Sequence, residues 1–307
     1  ARRHAAGLAS IPQPIWSITS DSGSKIMTMV YQYDGDFFVL DSGEHDPVNI
    51  TSSDLSDVLE PVISYDGTRI IYNYNGQIWG MNKDGSNRLR MSPESFLGTV
   101  DIPFVQLSHP RWGPAGDLFM ATGDVRNRGD KSQIWRFNGI GPYDDNLSLI
   151  DSDGPGWVRD ISWSRNGDKI AFINRSSVRR PGMSSITNYD LYSANSNGSD
   201  LLRLPNSSSQ VISTSTALSP NGQSILWVSE IWSGYERGIY KTDSGGSGGI
   251  NYLATGLNPS WLPDGSKIVY MFDSELWIMD FDGSNQMQIT NNNYLPGNSQ
   301  YLSFYWE

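Results

Sequence analysis

Cysteine is absent from all 307 residues. That removes disulfides, thiolate metal sites and cysteine nucleophiles, and it leaves the redox compartment open. Histidine is scarce, with only His4, His45 and His109. A zinc site drawing on three or four protein ligands finds no support in three residues so scattered. No apolar run approaches the roughly 18 residues of a membrane helix, so a soluble chain without direct membrane insertion is expected. Charged residues make up only 18%, and acids outnumber bases 33 to 22, for a net charge of −11 and a pI near 4.7. Such a surface repels phosphate backbones, so nucleic acid is not an expected partner. The opening ARRHAAGLAS lacks the apolar stretch of a signal peptide.

Aromatics and glycine, by contrast, are plentiful: 11 Trp, 15 Tyr and 31 Gly. Three strings nearly repeat one another, YQYDGDFFVLD from Tyr31, YNYNGQIWGMN from Tyr72 and YMFDSELWIMD from Tyr270. Each reads as a strand, a two-residue turn and a second strand. Upstream of such strings lies a second recurring pattern. It appears as EPVISYDGTRIIY from Glu60, HPRWGPAGDLFM from His109, DISWSRNGDKIAF from Asp160, STALSPNGQSILW from Ser215 and NPSWLPDGSKIVY from Asn258. A looser copy, QPIWSITSDSGSKIM, starts at Gln13. The turn glycines Gly23, Gly67, Gly116, Gly167, Gly222 and Gly265 are 44, 49, 51, 55 and 43 residues apart. That spacing predicts one four-stranded blade per repeat and six blades in all.

Within each unit, strand A ends at Trp16, Ile63, Trp112, Trp163, Leu218 or Trp261. A glycine turn leads to strand B, and a polar turn leads to strand C. A second glycine turn, as in Asp84-Gly85 or Asp282-Gly283, leads to strand D. In strand C of the last unit, Leu276 and Ile278 alternate with Trp277 and Met279, so both faces are apolar and both require cover. A propeller supplies it, because each blade stands between two others. The expected domain plan is an N-terminal extension, residues 1–12, and a single six-bladed propeller over 13–307. The C-terminal SQYLSFYWE is expected to close the ring as a further strand A, with Trp306 in the tryptophan place.

The unit running from NPSWLPDGSKIVY to LWIMDFDGSNQMQIT, residues 258–290, resembles the repeat of the TolB-like β-propeller family. The unit at 60–92 keeps Pro61, Asp66-Gly67 and Asp84-Gly85. The resemblance spans roughly residues 13–290 and implies the propeller part alone, without the α/β domain that precedes it in TolB. It further implies a bacterial, periplasmic or otherwise extracytoplasmic protein, peripheral to the membrane, that works as a non-catalytic platform for other proteins. Its partner would be a membrane-associated complex, to which it attaches as an extrinsic subunit. No cofactor is expected.

Two constellations stand out. Just before the apolar part of strand A come Gln13, Glu60, His109, Asp160, Ser215 and Asn258. Strand A is innermost in a propeller, so these six are expected to ring one mouth of the central channel, where a cation, a water cluster or a peptide end would fit. The bland explanation is that strand starts beside a wet channel are polar in any case. The second constellation is a set of insertions between strands B and C of the third, fourth and fifth units, residues 124–131, 174–190 and 229–238. They carry a net charge of +2 on a chain of −11. Arg126, Arg128, Arg179, Arg180, Trp232 and Tyr235 are of the residue types enriched in interfaces, and they make this crescent the expected partner surface.

Gly245-Gly246-Ser247-Gly248-Gly249 matches the Gly-x-Ser-x-Gly pattern, but it reads as a hairpin tip and not as a nucleophile elbow. Asp280 and Asp282 read as turn-capping carboxylates. The competing function classes are an enzyme at the channel mouth, such as a carbohydrate lyase or hydrolase, and a sugar or small-ligand receptor.

Overall fold

The computed structural model describes residues 19–20, 23–24, 27–41, 47–51, 58–92, 105–114, 118–125, 132–138, 147–150, 157–178, 186–204, 211–231, 238–290 and 300–306. They form six four-stranded antiparallel sheets and a two-stranded ladder, Thr19–Ser20 with Gly23–Ser24. Blade I has strands A to D at Gln300–Trp306, Met27–Tyr33, Asp36–Asp41 and Val48–Asn49, and blade II at Val58–Ile63, Arg69–Tyr74, Gln77–Asn82 and Leu89–Arg90. Blade III runs Val105–Trp112, Leu118–Val125, Ser132–Asn138 and Leu147–Ile150; blade IV runs Trp157–Trp163, Lys169–Val178, Ile186–Asn195 and Leu202–Arg203. Blade V is Val211–Leu218, Ser224–Ile231, Gly238–Asp243 and Asn251–Ala254, and blade VI is Leu257–Trp261, Lys267–Phe272, Glu275–Asp280 and Met287–Gln288.

Burial explains the ring. The described core falls into six clusters, one at each junction between neighbouring blades. In strand C of blade VI, Leu276 and Ile278 pack with Met27, Met29 and Leu40 of blade I, while Met279 packs with Leu226 and Ile239 of blade V. The period-two alternation of a strand therefore feeds two cores at once. Closure comes from antiparallel pairing of the C-terminal strand with Met27–Tyr33.

Two details of the repeat differ from the sequence reading. Ser303 pairs with Val30 and Phe304 with Met29, just as Val62 pairs with Ile71 and Ile63 with Ile70. Phe304, not Trp306, therefore occupies the tryptophan place, two residues earlier than expected. Gly23 lies in the small separate ladder and not in a turn between strands A and B, because strand A of blade I comes from the other end of the chain. Trp16 lies outside the described residues.

The turns are built as the motif requires. Gly85, with φ of 83°, sits where an added Cβ would lie 2.2 Å from the Ile50 carbonyl oxygen of blade I, so only glycine fits. Asp84 accepts from the Ser86 hydroxyl at 2.6 Å and its N–H at 3.0 Å. Those bonds hold the Asp84 carboxyl below the usual carboxylate range. Asp282 accepts the same pair of bonds from Ser284, and Asp280 accepts from Lys267 at 2.5 Å. The Gly245–Gly249 stretch joins strands C and D of blade V with no helix after it, as a turn and not an elbow.

Candidate functional site: the channel mouth

Each strand A carries a bulge where its register against strand B shifts, between Leu59 and Val62, Ser108 and Arg111, Val158 and Asp160, Ser213 and Thr216, Leu257 and Ser260, and Gln300 and Ser303. The bulge re-aims the chain beside the central axis. Glu60, His109 and Asn258 take left-handed φ of 59°, 52° and 51° there, each immediately before a proline. Non-glycine residues hold such values only where the surroundings over-determine them.

Glu60, His109, Asp160, Ser215 and Asn258 all line one cavity of about 760 Å³ on the axis. Gln13 lies outside the described residues. By register, the corresponding place in blade I falls at Tyr301 of the C-terminal strand.

The two carboxylates are engaged sideways, across blades. Glu60 accepts the His109 backbone N–H at 2.5 Å, and its other oxygen lies 3.3 Å from His109 Nε2. Burial raises the Glu60 pKa from its ordinary value, and the His109 N–H and the Arg111 charge oppose that rise. Asp160 accepts from Arg111 Nη2 at 2.5 Å on one oxygen and from the Thr216 N–H at 2.7 Å on the other. It thereby links blades III, IV and V. Among the described residues, no three His, Asp or Glu side chains converge to hold a metal ion.

Sequence reasoning missed the next layer down. Two residues beyond the ring, strand alternation returns to the axis and places Val62, Arg111, Ser162, Ala217 and Ser260 on the cavity wall, with Ser303 at the same register in blade I. Five are small or neutral, which leaves the space; Arg111 is the one charge. The period-two rule applied to the ring would have found it.

Tyr65 stands where other blades carry Pro220 or Pro263. Its hydroxyl donates to the Trp163 carbonyl at 3.4 Å, and the Arg165 guanidinium lies 5.6 Å from its ring centroid. This contact reaches from blade II to blade IV. Tryptophans staple the inner strands elsewhere: Trp112 Nε1 donates to the Val62 carbonyl at 2.9 Å, and Trp261 Nε1 to the Ala217 carbonyl at 3.1 Å.

The described ends of strands B and C in blades III, IV and V lie on the same face as the ring, because strand B returns to the face from which strand A starts. The insertions are less loop-like than expected. In blade IV the hairpin stays paired out to Val178 and Ile186, in blade III strand B reaches Val125, and in blade V it reaches Ile231. Much of 174–190 is therefore strand. Arg126, Arg128, Arg179, Arg180, Trp232 and Tyr235 all lie outside the described residues.

No protein-family model matches the chain, and no curated protein sequence matches it. Solved structures do match in fold. TolB from Acinetobacter baumannii superposes with a TM-score of 0.64 at 17% identity over 92% of this chain and 66% of that one, so this chain spans just under two thirds of it. A chain of the nidogen/laminin complex gives 0.62 at 9% identity over 91% and 98%. Oligogalacturonate lyase in complex with manganese gives 0.58 at 12% over 83% and 70%. The chain thus has a TolB-like β-propeller fold, one shared by proteins as different as TolB, a chain of the nidogen/laminin complex and oligogalacturonate lyase.

Proposed function

We propose that the protein is a non-catalytic docking propeller, an extrinsic subunit that binds a membrane-associated protein complex outside the bacterial cytoplasm. The observation that carries this reading is the lengthening of three consecutive B–C connections, in blades III, IV and V, whose described strand ends all lie on the ring face. Blade VI makes the same connection with Asp273 and Ser274 alone. Extended hairpins on a rigid scaffold are a common way to present a binding surface. The arginines and aromatics at 126–131, 179–185 and 232–237 supply the interface chemistry. The TolB and nidogen/laminin likenesses are consistent with protein binding but show fold alone.

Capture from the native source tests this. Replacing the three tips with two-residue Asn-Gly turns should abolish partner capture and leave the thermal unfolding curve in place, and the triple variant Arg179→Ala, Arg180→Ala, Trp232→Ala should do the same. Full capture by both would refute the docking surface. The competing reading, a channel-mouth lyase or hydrolase, takes its support from the oligogalacturonate lyase likeness. It requires acid–base groups at the mouth, where Glu60 and Asp160 are already hydrogen-bonded to neighbouring blades. Turnover of oligogalacturonate by the purified chain would favour it.

A further inference from the structure

We propose that the ring-side end of the channel is a binding site for a carboxylate group, with Arg111 as its anchor. The reason is which groups face the cavity and which stand behind them. The Asp160 and Glu60 side chains are only 3% and 8% exposed, whereas Arg111 is 29% and His109 23% exposed. Both acids line the cavity, but they are far less accessible there than Arg111 and His109.

Arg111 spends Nη2 on Asp160 and Nη1 on the Pro110 carbonyl. A guanidinium has five N–H donors, so the two bonds orient it and leave others to be used. Ser215 and Trp163 also line the cavity, with Ser215 Oγ and Trp163 Nε1 themselves buried behind its surface and without a hydrogen-bond partner among the described residues. An indole N–H can only donate, and a hydroxyl supplies a donor as readily. A guanidinium with unused N–H donors on a cavity wall suits an oxyanion, and a planar carboxylate can accept two bonds from arginine at once. A cation would meet the more exposed Arg111 guanidinium ahead of either acid. The volume, about 760 Å³, accommodates a small organic acid or the last residues of a chain.

Calorimetric titration of the full chain tests the site, with three probes: citrate, the tripeptide Ala-Ala-Ala with a free carboxylate, and the same tripeptide amidated. At least one acid should bind with a Kd of about 1 mM or tighter, and the amide about tenfold or more weaker than the acid. Binding of citrate alone identifies a free small acid as the ligand type; preference for the tripeptide acid identifies a chain end. The double variant Arg111→Gln, Asp160→Asn removes the anchor without orphaning a charge and should weaken binding about tenfold or more. Ser260→Phe, which narrows the channel opposite Arg111 and keeps both charged residues, should weaken it likewise, so loss of fold in one variant leaves the other to decide. Replacing the hairpin tips should leave these affinities unchanged, which separates this site from the docking surface. Weaker binding of both acids, equal binding of acid and amide, or undiminished binding in a folded variant would overturn the proposal.

Discussion

Asp160 should be the most expensive single polar residue of the channel, because it ties three blades together. Asp160→Ala removes the 2.7 Å bond from the Thr216 N–H. A hydrogen bond to a charged acceptor is worth about 1.5–3 kcal/mol. The Thr216 N–H is then left without an acceptor at a residue only 7% exposed. Arg111 loses its partner too, but with 29% of its side chain accessible it can turn to channel water, so its share stays near 1 kcal/mol. The total is about 2.5–4 kcal/mol. With an unfolding entropy of about 2.1 cal/mol/K per residue over 307 residues, Tm should fall by about 5 °C. Asp160→Asn keeps an acceptor oxygen for Thr216 and should cost about half as much. Urea unfolding of Asp160→Ala, Arg111→Gln and the double variant forms a cycle, and the double should cost about 1–2 kcal/mol less than the two singles together. An Asp160→Ala variant within about 0.5 kcal/mol of wild type, or an Asp160→Asn variant as damaged as Asp160→Ala, would refute this account of the cross-blade bond.

Glu60→Gln should alter the pH dependence of stability. The folded state holds the Glu60 proton more tightly than the unfolded chain, so its contribution is fullest below the ordinary pKa of 4.5 and is lost as pH rises through the higher folded value. The variant should therefore gain stability relative to wild type between pH 4 and pH 8; a flat or falling difference counts against the burial argument. Gly85→Ala should cost about 2 kcal/mol or more, since it combines a left-handed φ with a 2.2 Å approach to the Ile50 carbonyl oxygen. A Tm equal to wild type would contradict that geometry. Leu276→Ala, at the junction of blades VI and I, should cost about 2–5 kcal/mol in chemical unfolding. A cost under about 1 kcal/mol would show that this junction is loosely packed.

The blade plan was legible in the amino acids because its signals are local. A glycine turn, a period-two strand and a recurring spacing each occupy a few consecutive residues. The double-faced strand Glu275–Asp280 dictated cover on both sides before any coordinates. The ring of Glu60, His109, Asp160, Ser215 and Asn258 was legible for the same reason, as one position in a repeat.

What the sequence could not decide was set by register between distant segments. The end of the chain supplies strand A of blade I, and only its pairing with Met27–Tyr33 places Phe304, not Trp306, at the tryptophan position. Composition shows Glu60 and Asp160 as two acids that a cation would suit. Only tertiary structure turns them sideways, into the N–H groups of neighbouring blades, and leaves Arg111 and His109 facing the channel. The chemistry of a channel depends on which side chain stands in front of which, and that order is fixed by bulges and blade packing between residues some fifty positions apart.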